Sequence, residues 1–385
     1  MSDTQRTLLA RGLAVLAAVI VAAPAPPATA EDFVRVKVAS ETPAVRVTVP
    51  GPCSLVALSG AKVNTSLPEL RWQEILPDSE GLRVGRMAFR TDQLRIVPRE
   101  SPVLYLNGAR YRGSLTIVRQ GTHRLLVINR MPLEEYLKGV VPREVDYRWP
   151  METLKAQAIV ARTFTLRQLA DRAGQHFDVT TTWPQLYGGI LAERSRAVQA
   201  VEATSGLVLA SRGRPILAYY HTVCGGRTED APEVWPTVTE EPLQSVACTH
   251  CRRAPHYRWH LVLTAEELSR AVSACGVDVG SIESVVLGEH NRSGRVRTMT
   301  VTGPRGSATL AAIQLRTTLG PNRLRSTKFV MSQDGGTWVF RGDGWGHGVG
   351  LCQWGAASLG RQKWTAEQIL THYYPGAEVI TWPPR

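Results

Sequence analysis

The chain has 385 residues and a formal net charge of +12, and a length of this order is enough for two domains. A basic protein is drawn to anionic polymers. However, the arginines are scattered along the chain, and no basic stripe is interleaved with aromatic residues, so nucleic acid is not the expected partner.

The N-terminus has the pattern of a secretion signal. Arg6 and Arg11 precede an apolar run over residues 13–23, and Ala28-Thr29-Ala30 has the small-x-small pattern of a signal-peptidase site. An uncleaved anchor is the alternative, but the run is shorter than the roughly 20 residues that a bilayer span needs. We predict a cleaved signal peptide over residues 1–30 and a mature chain without a membrane span. The protein would be exported, periplasmic or wall-associated, where a carboxylate-rich cell-wall glycan is the better anionic partner.

The region after the signal peptide is expected to be rich in strands. From Phe33 to about Asn129, short β-branched runs alternate with Gly, Pro, Asn and Ser, which is typical of strands joined by turns. We assign residues 31–104 to a β-rich N-terminal region whose function the pattern does not indicate.

The rest of the chain mixes helices and strands. A helix is expected from Pro150 to just before Gly174, and another over residues 193–204. Thr264 and Thr365 each begin a capping box at the start of a later helix. Strand patterns lie between these helices without a regular βαβ order, so the fold class is predicted to be α+β. Residues 105–385 are assigned to a mixed α+β core with a substrate groove.

Glu144 is the strongest catalytic candidate in this core. It lies between Pro142, which is expected to end one helix, and Pro150, which fits the first turn of the next. A bend held by a rigid helix can aim a carboxyl group at a substrate.

Three further segments carry candidate binding residues: the Gln-Leu-Tyr segment at 185–187, the segment 220–228, and the glycine-rich loop 342–354. The loop lacks the GxGxxG spacing of a nucleotide site. Its alternating glycines allow backbone shapes that side chains forbid and let a polymer approach closely. A tight turn around a buried histidine is the alternative. The predicted substrate-binding residues are Gln185, Tyr187, His221, Thr228, Asp343, His347 and Gln353.

Four ordered motifs resemble the stage II sporulation protein D family, which also contains the LytB amidase enhancers. They are EYLKGVVPREV, KAQAIVARTF, YHTVCGG and GWGHGVGLCQWGA, and the similarity covers roughly residues 105–380. The resemblance implies a peptidoglycan lytic transglycosylase that cuts glycan strands already stripped of peptide, with Glu144 as the catalytic acid.

The implied chemistry needs one carboxyl group. A glycosidic bond breaks when an acid with a raised pKa protonates the leaving oxygen. Ordinary glycosidases use a second carboxylate, whereas in a lytic transglycosylase the sugar's own 6-hydroxyl attacks and leaves a 1,6-anhydro-muramic end. No cofactor is required.

Two other functions remain open. The amidase-enhancer branch of the family implies a non-catalytic wall-binding protein that stimulates an N-acetylmuramoyl-L-alanine amidase, which would then be a partner. A cysteine-dependent transferase is less favoured, because a thiolate nucleophile needs a base partner that the sequence does not identify.

The cysteines allow either a metal or disulfides. Some family members hold zinc with a His/Cys cluster just before the Gln-x-Tyr segment, but here that stretch retains only His176, so we expect that site to be absent. Elsewhere in the chain, one histidine and three cysteines have ligand types that are compatible with zinc. Because the protein is predicted to be exported, disulfides among Cys224, Cys248, Cys251 and Cys352 are favoured over a metal. The candidate ligands for a structural zinc are His221, Cys224, Cys248 and Cys251.

Overall fold

The computed structural model describes residues 32–60, 63–182 and 184–383. The predicted signal peptide lies outside the described residues. Within these described ranges, twelve strands precede the first helix: β1 (Phe33–Thr42), β2 (Val45–Val49), β3 (Cys53–Ala57), β4 (Asn64–Leu67), β5 (Leu70–Asp78), β6 (Gly81–Val84), β7 (Met87–Phe89), β8 (Gln93–Pro98), β9 (Val103–Leu106), β10 (Ala109–Arg112), β11 (Ser114–Gln120) and β12 (Arg124–Pro132).

These strands form two sheets that share one apolar core, which confirms the predicted β-rich N-terminal region. One sheet contains β1, β12, β11, β8, β3 and β4 in spatial order, and the other contains β10, β9, β2, β5, β6 and β7. Alternate residues of β2 and β8 are buried, as expected for strands with one face on a core. Leu55 and Ile96 from the first sheet pack in the same cluster as Val47 and Ile75 from the second. The expected division between residues 104 and 105 falls inside β9.

The helices and remaining strands confirm the α+β class. Eight helices lie in the described residues: α1 (Leu133–Glu144), α2 (Met151–Asp171), α3 (Ser195–Ala203), α4 (Ala231–Val234), α5 (Ala265–Ala274), α6 (Ala312–Leu319), α7 (Gln353–Arg361) and α8 (Ala366–Tyr373). The later strands are β13 (Val179–Thr180), β14 (Leu207–Ser211), β15 (Arg214–Pro215), β16 (Tyr220–His221), β17 (Arg258–Thr264), β18 (Ser284–Leu287), β19 (Thr298–Gly303), β20 (Gly306–Ala311), β21 (Phe329–Asp334), β22 (Thr337–Asp343), β23 (Leu351–Cys352) and β24 (Glu378–Thr381). In the part of the chain that the structure describes, no helix has the length and apolar character of a membrane span.

Two local predictions about helix starts are confirmed. Thr264 and Thr365 accept hydrogen bonds from the backbone N–H groups of Glu267 and Gln368, and both capping boxes are complete. Between these helices, β17 to β22 pack with α5 and α6 around a core of their own, to which Trp259 and Phe340 contribute.

The expected break at Pro142 was wrong. Helix α1 continues through Pro142 and ends at Glu144, and the Val145 N–H closes its last turn by donating to the Val141 carbonyl at 3.1 Å. Proline removes one backbone donor, and a single missing bond in the last turn does not stop the helix. Pro150 then precedes α2 as its N-cap residue.

Helix α2 is anchored by a buried arginine that joins it to α1 and α3. The Arg162 side chain is 1% exposed, and its guanidinium donates two hydrogen bonds of 2.7 Å to the Glu134 carboxylate. It also donates to the carbonyls of Val201 on α3 and of Leu207 at the start of β14. This network fixes α1, and therefore Glu144, relative to the rest of the core.

Candidate active site

Glu144 ends α1 with its carboxyl group half-buried. The Leu186 backbone N–H donates a hydrogen bond of 2.6 Å to Glu144 Oε1. Burial raises the pKa of Glu144 above its ordinary value, while the Leu186 N–H, the Tyr220 hydroxyl and Arg143 act in the opposite direction without cancelling the effect. A carboxyl group with a raised pKa, held on a helix end beside an exposed loop, has the properties of a general acid.

Tyr220 lies against this carboxyl group, and sequence reasoning missed its role. Its hydroxyl is buried close enough to Glu144 and Gln185 for each group to influence its pKa, and burial itself raises that pKa well above the usual value. Within the described residues, the hydroxyl makes no hydrogen bond of regular geometry. A buried O–H without a regular partner, next to the acid, is available to respond to the protonation state of Glu144. Its position at the start of YHTVCGG was the only sequence signal for it.

The glycine-rich loop meets the Glu144 bend through two contacts. The Gln353 side-chain amide donates a hydrogen bond of 3.2 Å to the Glu144 backbone carbonyl. The rings of Trp149 and Trp354 make an edge contact with their centroids 5.1 Å apart. The end of the loop is therefore brought together with the predicted acid.

Gln185 and Tyr187 flank Leu186 but point into the core. Gln185 is 1% exposed, and its Oε1 accepts a hydrogen bond of 2.9 Å from the Thr165 hydroxyl. The buried Tyr187 ring stacks on Tyr136 with centroids 5.2 Å apart. Both side chains therefore hold the backbone that presents the Leu186 N–H to Glu144.

His221 on β16 lies next to His347 in the glycine-rich loop before β23, with their ring centroids 5.6 Å apart. His221 Nδ1 lies 3.1 Å from the Val349 carbonyl, which requires a proton on Nδ1 and leaves Nε2 unprotonated. His347 Nδ1 accepts from the Val349 N–H, so its Nε2 donates to the Tyr220 carbonyl at 2.9 Å. Burial lowers the pKa of His221 to about 3 and that of His347 well below its usual range. Both rings are therefore neutral at physiological pH.

His347 also lines a cavity of about 280 Å³ that contains a second buried acid. Glu229 is 1% exposed, burial raises its pKa, and it accepts a hydrogen bond of 2.8 Å from Ser293. Sequence reasoning did not select this glutamate, which directly follows the candidate Thr228.

Thr228 and Asp343 have different surroundings from Glu144. Thr228 is fully buried, and its hydroxyl accepts a hydrogen bond of 2.8 Å from the Val246 N–H. Asp343 ends β22 and lines a separate cleft of about 570 Å³ together with Lys328. Glu144 is not among the residues that line this cleft.

The cysteines depart from the disulfide expectation. All six lie in the described part of the chain, and each is free. Four of them have their sulfur atoms within 4.8 Å of one another, and Cys352 takes the position that we had given to His221. The members of this group, here called the four-cysteine cluster, are Cys224, Cys248, Cys251 and Cys352.

Comparisons with known proteins identify the family. Residues 121–210 match the family model described as Stage II sporulation protein, and residues 234–350 match a model described as a domain of unknown function. A Stage II sporulation protein D of Bacillus amyloliquefaciens is 30% identical over 285 residues, which cover 69% of this chain and 78% of that protein. This chain belongs to the stage II sporulation protein D family.

Other relatives of this sporulation protein D family member differ in name. An uncharacterized protein of Brachyspira hyodysenteriae is 32% identical over 277 residues, covering 71% of this chain and 73% of that protein. A protein of Bacillus subtilis named Amidase enhancer is 27% identical over 294 residues, covering 64% of this chain and 40% of that protein. The names of these relatives leave an enzymatic and a stimulating role both open.

Proposed function

We propose that this protein is an exported lytic transglycosylase that cleaves peptidoglycan glycan strands from which the stem peptides have been removed. The observation that carries the proposal is the half-buried carboxyl group of Glu144, which the Leu186 N–H holds at the end of α1 and whose pKa is raised by burial. Family membership and the secretion pattern over residues 1–30 support a role in the cell wall.

Glu144 would act twice in one turnover. It first gives its proton to the glycosidic oxygen, so that the bond from this oxygen to the anomeric carbon breaks and positive charge develops on the sugar. The resulting carboxylate then accepts the proton of the sugar's 6-hydroxyl while that oxygen bonds to the anomeric carbon. The products are a new chain end and a 1,6-anhydro-muramic end, and Glu144 is protonated again.

The surroundings of Glu144 support a mechanism with one carboxyl group. Asp146, the nearest acid along the chain, is engaged by Arg148 through its backbone and side chain, with a shortest distance of 2.7 Å. Among the described residues, no other carboxylate forms a hydrogen bond or ion pair with the Glu144 side chain. A substrate hydroxyl would then be the nucleophile, in place of the second carboxylate that ordinary glycosidases use.

The predicted binding residues would mostly act by positioning. Gln185, Tyr187 and Gln353 are buried, and their contacts fix the backbone on both sides of the acid. The exposed side chains next to Glu144 include Leu186 and Tyr147, which offer apolar and aromatic surface to a sugar ring. We propose that the glycan lies across these exposed groups.

The test uses purified glycan strands whose peptides have been removed by an amidase. Mass spectrometry should detect 1,6-anhydro-muramic ends with the wild-type protein and their near-complete loss with Glu144→Gln. Asp146→Asn is the matched control, since it removes a neighbouring exposed carboxylate and should leave the products unchanged. An inactive wild type, or full activity of Glu144→Gln, would remove the proposal.

A second function is favoured by the relative named Amidase enhancer. In this case the protein would bind the wall and stimulate an N-acetylmuramoyl-L-alanine amidase without cutting glycan. Glu144→Gln separates the two functions, because a stimulating role would survive this substitution and glycan cleavage would not.

A further inference from the structure

The four-cysteine cluster brings together three distant segments of the chain. Cys224 follows β16, Cys248 and Cys251 lie on one turn with two residues between them, and Cys352 ends β23 as the N-cap residue of α7. All four side chains are at most 1% exposed. A buried thiol packs as a small apolar group, so burial alone does not require a ligand, but four sulfur atoms that converge on one point form a set of soft ligands for a metal ion.

The sulfur positions fit a tetrahedral ion better than disulfides. Sulfurs bonded to zinc at about 2.3 Å stand about 3.8 Å from one another. The Cys224 and Cys251 sulfurs are 3.4 Å apart, and all four lie within 4.8 Å of one another. A disulfide would require about 2.05 Å and would join the sulfurs in pairs rather than as one group.

The groups around the sulfurs stabilise negative charge. The Cys224 backbone N–H points to Cys352 Sγ at 3.3 Å, and the Tyr373 hydroxyl lies 3.1 Å from Cys248 Sγ. Arg295 is 2% exposed and donates a hydrogen bond of 2.9 Å to the Cys224 carbonyl. Four thiolates on a divalent ion carry two net negative charges, which a buried cation and these donors offset.

The packing beside the four-cysteine cluster leaves no room for a side chain at Gly355. A Cβ atom added to Gly355 would stand 2.8 Å from Cys248 Sγ and 2.0 Å from the Tyr373 hydroxyl oxygen. Only glycine therefore fits at this point of α7 without moving a sulfur or its donor.

We propose that Cys224, Cys248, Cys251 and Cys352 bind one structural zinc ion. The Cys-x2-Cys spacing of the central pair and the all-sulfur donor set are typical of closed zinc sites. This site lies away from the stretch before Gln185 where the family resemblance implied a metal, and it uses Cys352 instead of His221.

The ion would hold both sides of the active site in register. Strands β16 and β23 pair in parallel, with Tyr220 opposite Leu351 and His221 opposite Cys352. Tyr220 contacts the acid from one strand, and Gln353 follows Cys352 and binds the Glu144 carbonyl from the other. Zinc at the four-cysteine cluster therefore fixes the two segments that contact Glu144.

The test measures metal and thiols in the full chain, exported from a bacterial host in zinc-containing medium and purified without chelator or reductant. Elemental analysis should find about one zinc ion per chain. X-ray absorption at the zinc edge should show four sulfur ligands at about 2.3 Å. After denaturation with a chelator and without reductant, all six cysteines should react with an alkylating reagent.

Two variants locate the zinc. Cys248→Ser should lose most of the zinc, because a closed structural site needs all four protein ligands, whereas Cys275→Ser, outside the cluster, should retain it. Any of three results would overturn the proposal. They are zinc retained in Cys248→Ser, iron with inorganic sulfide in place of zinc, and cluster cysteines that react only after reduction. The wild-type measurements test the zinc proposal even if Cys248→Ser does not fold. They also do not depend on whether the protein cleaves glycan.

Discussion

The side-chain amide of Gln353 donates a hydrogen bond of 3.2 Å to the backbone carbonyl of Glu144, 209 residues earlier in the chain. Carbonyls in the last turn of a helix have no partner within the helix, so this bond supplies a donor at the end of α1. Gln353 also lies 3.4 Å from Gln157 on α2, and it is itself the first residue of α7. One amide therefore links the glycine-rich loop to the helix end that carries the acid.

Gln353→Leu should reduce catalysis more than binding. Leucine has a similar size but no donor, so the Glu144 carbonyl loses its partner and the acid loses a fixed position. A misplacement of about 1 Å can lower activity about a hundredfold, and we expect a fall of about ten- to a hundredfold in kcat with little change in KM. Gln362→Leu, an exposed glutamine just after α7, is the control. An unchanged kcat in Gln353→Leu would contradict this role.

Glu144→Gln should stabilise the fold increasingly as pH rises. Burial raises the pKa of Glu144 above the ordinary value of about 4.3. The stability contributed by the protonated carboxyl is thus fully present below that value and is lost as pH rises through the raised pKa. Glutamine stays neutral throughout.

Urea unfolding at about pH 4 and about pH 8 checks this prediction. The variant and the wild type should have similar free energies of unfolding at the lower pH, and the variant should be the more stable at the higher pH. Glu100→Gln removes one exposed negative charge and is the control. A difference that stays constant between the two pH values would mean that ionisation of Glu144 is not costly in the fold.

The parts of the fold that were predicted correctly from the sequence are those that depend on local patterns. Capping at Thr264 and Thr365 depends on residues three positions apart, and the β-rich region depends on alternation within short runs. The error at Pro142 came from applying a local rule where one lost hydrogen bond was tolerated at a helix end. The predicted division between residues 104 and 105 falls inside β9, whose pairing with β2 and β10 could not be read from the local pattern.

The site was only partly predictable for the same reason. Glu144 could be selected from its position between two prolines, but its contacts with Leu186 and Tyr220 join residues far apart in sequence. Cys352 could not be distinguished from His221 as a member of the cysteine group, because the parallel pairing of β16 and β23 puts these two residues opposite each other. Spacing along one chain does not reveal which of two paired residues points to the cluster.

Glu134→Gln should destabilise the core by about 2 to 4 kcal/mol. Arg162 is buried and needs the Glu134 carboxylate, although the cost stays below that of a wholly buried pair because Glu134 is 33% exposed. Urea unfolding measures the loss. Glu266→Gln removes an exposed ion pair with Arg270 and should cost less than about 0.5 kcal/mol. Equal effects of the two substitutions would show that Arg162 finds other partners.

Tyr220→Phe should move the pH dependence of glycan cleavage upward. Glu144 must be protonated to act as an acid, so activity falls as pH rises through its pKa. The Tyr220 hydroxyl lowers that pKa, and its removal leaves burial to raise the pKa further. Because the hydroxyl has no regular hydrogen-bond partner among the described residues, its loss should cost little stability.

The measurement for Tyr220→Phe is kcat for anhydro-end formation across pH. The fall in kcat should occur at higher pH in the variant than in the wild type. Tyr219→Phe is the matched control, since the Tyr219 ring stacks on Trp235 with centroids 4.2 Å apart and phenylalanine keeps this contact. A falling limb that stays in place or moves to lower pH would show that the Tyr220 hydroxyl does not stabilise the Glu144 carboxylate. Since the substitution keeps the buried ring, such a result would concern the proton on Glu144 and not the packing around it.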